Sequence, residues 1–217
     1  MPHSLNDRDA RERMVADQLV ARGIRDARVL DAMRRVPREA FVPDTSQALA
    51  YADRALPIGS AQTISQPYMV AVMTEALALS VTARVLDVGT GSGYQAAILG
   101  ELARDVITIE RRPELAQTAR VTLASLGYQN IRVIVGDGSL GYAEEAPFDA
   151  ILVAAGAPRV PAALTQQLRD GGRLVIPIGS SDLQRLTVVT RHGEQWSETV
   201  RERCVFVPLL GDEGWRP

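Results

Sequence analysis

Lysine is absent from this 217-residue sequence; all 24 basic residues are arginine. Without a lysine amine there is no Schiff-base or pyridoxal-phosphate chemistry, and no phosphate-binding loop of the type that needs one. Cysteine is almost absent as well. Cys204 alone can form neither an internal disulfide nor a cysteine-ligated zinc site. The two histidines are His3, in a charged N-terminal stretch, and His192, beside a turn glycine, which leaves little for a serine–histidine–aspartate hydrolase. Aromatic residues are only 5% and the net charge is −2, the opposite of what base stacking and phosphate binding want. No apolar run reaches the roughly 18 to 20 residues of a membrane span, and the opening MPHSLNDRDARER is not signal-like. The expectation is a cytoplasmic protein with neither a nucleic-acid nor a membrane partner.

What is present reads as one soluble α/β domain, with 46% apolar and 23% charged residues. Residues 7–36 carry helical spacing in two pieces, with Gly23 as a stop and Asp26 as an N-cap. Pro37 and Pro43 bracket a short segment, REAFV, and residues 44–66 look irregular. A third helix is expected from Pro67 to Leu79, with proline in its first turn. From Arg84 the rhythm changes to short Val- and Ile-rich runs, RVLDVG, VITIE, IRVIVGD, DAILVAA and RLVIPIG. YQAAILGELA and PELAQTARVTLASLG lie between them as helices, and PAALTQQLRD precedes the fifth run; only a partial helix fits between Gly138 and Pro147. This alternation predicts an open, mostly parallel, doubly wound sheet with helices on both faces. RLTVVTR, the turn HGEQ and ETVRERCVFVPL then predict a C-terminal antiparallel hairpin. The organisation expected is a single domain over 1–217, with residues 1–80 as an N-terminal helical addition and 81–217 as the core.

In such a sheet a ligand binds beyond the carboxyl ends of the strands. The first core strand runs into LDVGTGSGYQ, where Gly89, Gly91 and Gly93 allow a tight turn and close backbone approach ahead of a helix. The dinucleotide pattern G-x-G-x-x-G is not met, because its third glycine is replaced by Tyr94. Glu110 ends the second core strand, placed for two ribose hydroxyls, and Asp137 follows the third, placed for an adenine amino group. A nicotinamide cofactor shares part of this geometry; S-adenosylmethionine fits the glycine spacing better. A nicotinamide oxidoreductase and a non-catalytic cofactor module are the readings from other classes.

PREAFVP, ALPIG, QTISQPYMVA, VLDVGTGSGYQAAIL, LGYQNIRVIVGDG, APFDAILVAAGAP, QLRDGGRLVIPIG and FVPLLG occur in that order. Together they resemble the protein-L-isoaspartate O-methyltransferase family from about residue 14 to residue 211. QTISQPYM and GDGSLGYAEEAPFDAI are its most specific segments. The resemblance implies a class I methyltransferase with S-adenosylmethionine as methyl donor, S-adenosylhomocysteine as product and no metal. It implies isoaspartyl-containing proteins and peptides as substrates, and a substrate loop within residues 1–80. It carries the active-site serine to Ser65, and cofactor contacts to Ile64, Gly89, Glu110, Asp137 and Gly138. Two positions depart from the usual pattern: Ala61, commonly glycine in bacterial members, and Gly156, commonly alanine. No C-terminal contact residues are recognisable in LLGDEGW. A class I methyltransferase acting on RNA or a small molecule is the alternative.

The chemistry suits a loop, QTISQPY, that has no histidine, lysine, cysteine or acid. A free α-carboxyl with a pKa near 3.5 is about 99.9% ionised at pH 7, so it needs no general base. Ser65 or Gln66 is the expected N-cap of the helix that follows. Replacing His3 and His192 together should leave turnover nearly unchanged, and the pH–rate profile should lack a histidine limb near pH 6.5. A large loss in the folded double variant would reveal a base in one of them.

Overall fold

Gly23, at φ +98°, ends the first helical segment, and Asp26 starts the next. The structure, a computed structural model, describes residues 5–216, so His3 lies outside the described residues. Helix α1 (Leu5–Arg13) continues as a π-helical stretch, Met14–Val20. Helix α2 (Ala27–Arg35) is capped as expected: the Asp26 carboxylate accepts the N–H groups of Arg28 at 2.8 Å and Val29 at 3.4 Å. REAF forms a single 3₁₀ turn, Arg38–Phe41.

Residues 44–66 are only partly irregular. They hold a 3₁₀ segment, Asp44–Leu49, and a small hairpin of β1 (Leu56–Gly59) and β2 (Gln62–Ile64). The hairpin has a two-residue turn in which Ser60 and Ala61 both sit at positive φ, +49° and +55°. That geometry is normally signalled by Asn-Gly, and Ser-Ala gives no such signal. Helix α3 (Pro67–Leu77) follows; Ala78 terminates it in the left-handed region, two residues before the expected end. It is apolar almost all round and correspondingly buried.

The remaining strands make one seven-stranded sheet. Strands β3 (Arg84–Val88), β4 (Asp105–Glu110), β5 (Ile131–Val135), β6 (Phe148–Val153) and β7 (Leu168–Gly179) pair in parallel; β8 (Gln184–His192) and β9 (Gln195–Cys204) add the antiparallel hairpin. The strand order is β5-β4-β3-β6-β7-β8-β9. Helices α4 (Tyr94–Gly100) and α5 (Pro113–Ser125) make the first two crossovers. Two 3₁₀ turns, Gly138–Leu140 and Ala143–Glu145, replace a crossover helix before β6. Helix α6 (Ala162–Gln166) is shorter than PAALTQQLRD suggested. Its last residues are drawn into β7: Leu168 pairs with Phe148, whose N–H donates to the Gln167 carbonyl at 2.8 Å. Sheet pairing overrides the helical pattern there.

Alternation along the strands sorts the core into two layers. Val85, Val106, Leu152 and Val188 face Met14, Val29, Met33, Met73 and Ile98 from the N-terminal helices, α3 and α4. Leu86, Ile107, Ile151 and Leu174 face Leu164 of α6 and Leu209 of the C-terminal segment. Among the described residues no helix is long and apolar enough to cross a membrane.

A non-glycine residue in the left-handed region costs about 1–2 kcal/mol, partly offset by the unfolded-state entropy that glycine adds. Ala61→Gly should therefore stabilise the protein by up to about 1 kcal/mol, raising Tm by about 2–4 °C. Scanning calorimetry on the two proteins measures it; a lower Tm for the glycine variant would show that Ala61 carries contacts worth more than its strain.

Candidate functional site

Strand order reverses between β3 and β6, which run side by side while their neighbouring connections leave in opposite directions. A crevice is expected at that point, and a cavity of about 350 Å³ lies there. Its walls are residues 88–92 after β3, 109–112 at the end of β4, Gly138, residues 154–155 after β6, residues 61–65 of the small hairpin and residues 206–210. Ile64, Ser65, Gly89, Gly91, Glu110 and Gly138, all named from sequence, are brought together on it.

The glycine loop is held to the strand beside it. The N–H of Gly89 donates to the Ile109 carbonyl at 2.9 Å, and that of Gly91 to Glu110 Oε2 at 2.8 Å. Gly91 sits at φ +52°, so the loop turns back over the end of β4. Gly93 is not on the cavity wall. It is the N-cap of α4 at φ +92°, where a Cβ would crowd Ala119 and Leu123 of α5.

Glu110 is buried and lines the cavity, and its Oε1 accepts the N–H of Arg112 at 2.9 Å. Each carboxylate oxygen thus takes one backbone N–H and keeps a lone pair for a ligand hydroxyl. Asp137 stands beside the cavity, not on its wall. Its Oδ1 accepts the N–H and hydroxyl of Ser139 at 2.9 and 2.7 Å, and its Oδ2 the N–H of Asp212 at 2.9 Å. Burial pushes this carboxyl up, but the donors from Asp212 and Ser139 outweigh it and hold it below the usual aspartate value. The Asp137–Asp212 bond ties down the C-terminal segment whose Leu209 and Leu210 close the cavity.

The expected N-cap choice between Ser65 and Gln66 falls to Gln66, and neither side chain makes a capping bond. Ser65 instead lines two cavities. The second, also about 350 Å³, is bounded by Gln66, Met69, Leu183 and residues 203–207, and shares Thr63, Ser65, Ala154, Phe206 and Val207 with the first. Cys204 borders it; burial, then nearby Glu202, pushes its thiol up to about 11, so it stays protonated near neutrality. Gly156 also has a local reason. A Cβ there would press on the buried Gln184 side chain, whose Oε1 accepts the Phe206 N–H at 2.8 Å.

Sequence reading passed over Asp87, an acid inside the apolar run VLDV and fully buried. Thr108 Oγ1 donates to its Oδ2 at 2.7 Å, Thr90 Oγ1 lies 2.6 Å from Thr108 Oγ1, and Oδ1 has no partner. Burial pushes Asp87 up to about 7, against the Thr108 hydrogen bond, with the Glu110 charge adding to the rise.

The fold is shared with solved structures. A protein-L-isoaspartate O-methyltransferase chain superposes with a TM-score of 0.86 at 27% identity, over 94% of this chain and 67% of that one. A Plasmodium falciparum protein described as a protein-L-isoaspartate O-methyltransferase, crystallised with S-adenosyl-L-homocysteine, superposes with a TM-score of 0.81 at 27% identity, over 92% and 98%. The fold is that of the class I methyltransferases. In sequence, a Pelobacter propionicus protein named protein-L-isoaspartate O-methyltransferase 2 is 56% identical over 217 residues, 99% of this chain and 96% of its own length. Residues 10–214 match the family model for protein-L-isoaspartate(D-aspartate) O-methyltransferase, and the chain belongs to that family.

The Asp87 environment predicts a pH effect. Below the ordinary aspartate value of about 3.9 the folded and unfolded chains both hold the proton. From there to about 7 the unfolded chain ionises while folded Asp87 does not, so this group's contribution moves against folding as pH rises and levels off above about 7. The stability of Asp87→Asn relative to wild type should accordingly climb between about pH 4 and pH 7 and then flatten. Urea melts across that range measure the difference; parallel curves would mean Asp87 ionises as readily folded as unfolded.

Proposed function

We propose that this protein transfers a methyl group from S-adenosylmethionine to the free α-carboxylate of isoaspartyl residues in proteins and peptides. The observation that carries the reading is Ser65, standing on the wall common to two cavities, one built on the glycine loop and Glu110, the other opening toward the end of β9. The first has the donor set for the cofactor, and the second offers a separate approach for a peptide.

Glu110 would hold the ribose hydroxyls with the lone pairs left free by Gly91 and Arg112. Ile64, Gly89, Gly91 and Gly138 form the close walls of the same cavity. Gly93 supports them from the start of α4, and Asp137, which also ties down the C-terminal segment, would accept from the adenine amino group. When bound, S-adenosylmethionine would supply an activated methyl carbon on a sulfonium that leaves as a neutral thioether. Ser65 donates to one carboxylate oxygen and so holds the other toward that carbon. No proton is lost from the nucleophile, and the neutral Cys204 thiol is not called upon as a base. Alignment alone can be worth about 7–11 kcal/mol.

The test is radiolabelled methyl transfer to an isoaspartyl peptide beside its aspartyl isomer. Only the isoaspartyl form should be labelled, and labelling of neither by folded protein would overturn the reading. Ser65→Ala should lower kcat/KM about a hundredfold with S-adenosylhomocysteine affinity little changed. Glu110→Ala should weaken that affinity about tenfold or more by calorimetric titration, since charge-assisted bonds contribute about 1.5–3 kcal/mol each. Unchanged affinity in folded Glu110→Ala would remove Glu110 from the ribose site.

A further inference from the structure

Arg38, in the REAF turn, is fully buried, and no carboxylate pairs with it among the described residues. A buried guanidinium without an acid is a costly arrangement that persists only where its donors are well used. Nε donates to the Ala50 carbonyl at 2.7 Å and Nη2 to the Ser65 carbonyl at 2.7 Å, while Nη1 has no partner. The guanidinium carbon lies 4.8 Å from the centre of the Tyr94 ring, and Tyr94 lines the first cavity. Burial lowers the Arg38 pKa, against the electrostatic pull of its neighbours, Tyr94 first and Asp53 among them.

Ser65 lies in the two-residue gap between β2 and α3, outside either element's regular hydrogen bonding. Its carbonyl is held from behind by Arg38, and Arg38 in turn rests on the tyrosine that opens α4. From this geometry we propose that Arg38 is a positioning residue for methyl transfer: it fixes the Ser65 backbone against Ala50 and Tyr94, so that the hydroxyl faces the junction of the two cavities. The same cation sits behind a site that receives an anion; Asp53 acts on it through charge without a direct pair, so the cation can also draw the isoaspartyl carboxylate toward the Ser65 wall. The inference rests on the function proposed above. It also gives Tyr94 a use, since a glycine there would leave the guanidinium without a face to stack on.

The test uses the full-length protein with Arg38→Met and Arg38→Lys, measuring S-adenosylhomocysteine affinity by calorimetry and steady-state kinetics on an isoaspartyl peptide. In Arg38→Met, which has neither charge nor donors, kcat should fall about a hundredfold and peptide KM should rise, with cofactor affinity nearly unchanged. Arg38→Lys keeps the charge but cannot bridge both carbonyls. It should restore peptide KM toward wild type and only part of kcat. A folded Arg38→Met protein with wild-type kcat/KM overturns the proposal, as do losses in both variants that merely follow the folded fraction in thermal melts. If Arg38→Met does not fold, Arg38→Lys decides: reduced kcat at unchanged cofactor affinity supports the role, and wild-type kcat removes it. Wild-type protein that labels no isoaspartyl peptide would overturn the parent function itself, an outcome read before either variant is compared.

Discussion

Parallel strands joined by right-handed crossovers can leave a sheet's centre in only two directions, and here they leave in both. From β3 the chain moves outward through β4 to β5; it then returns to place β6 on the other side of β3 and continues to β7. The carboxyl ends of β3 and β6 are thus neighbours with no connection crossing between them. The space this leaves is the first cavity, and the loops that follow each strand become its walls. The N-terminal hairpin and the C-terminal segment close it from the two remaining sides.

Glu110, Asp87 and Arg38 lie buried around that space, each satisfied differently. Glu110 is held by two backbone N–H groups and keeps acceptor capacity toward the cavity. Asp87 has a hydroxyl on one oxygen and nothing on the other, and burial drives it toward the neutral acid. Arg38 spends two donors on carbonyls of loops that no regular element holds. A site for a charged donor and a carboxylate acceptor needs fixed charges and dipoles that do not reorganise when the ligands arrive. Burial supplies that rigidity at a cost in stability, which the two apolar layers of the sheet offset.

The reaction proposed here asks little of side-chain acid–base chemistry. That agrees with a chain of two histidines and no lysine, in which the cysteine near the site is held protonated. What remains for the protein is placement, and placement is distributed over distant segments. Residues 38, 50, 65 and 94 meet around one guanidinium; residues 137 and 212 meet through one carboxylate.

Local pattern determined a good deal. The Val- and Ile-rich runs, the spacing of α4 and α5, the Asp26 cap and the C-terminal hairpin were legible because propensity, periodicity and turn chemistry agree there. The glycine loop and Glu110 were legible because a strand followed by a helix puts such residues at a sheet edge. The hairpin of β1 and β2 was not, since its turn lacks the glycine that would announce it. The extension of β7 into Leu168 was decided by pairing with Phe148, which no local pattern encodes. That Asp137 also binds Ser139 and Asp212, the latter far along the chain, could not be read from local pattern. Burial of Asp87 and the bridge from Arg38 to Ser65 likewise belong to the tertiary structure alone. Periodicity reports which face of an element is apolar, whereas the partner of a buried charge is set by residues that only folding brings within 3 Å of it.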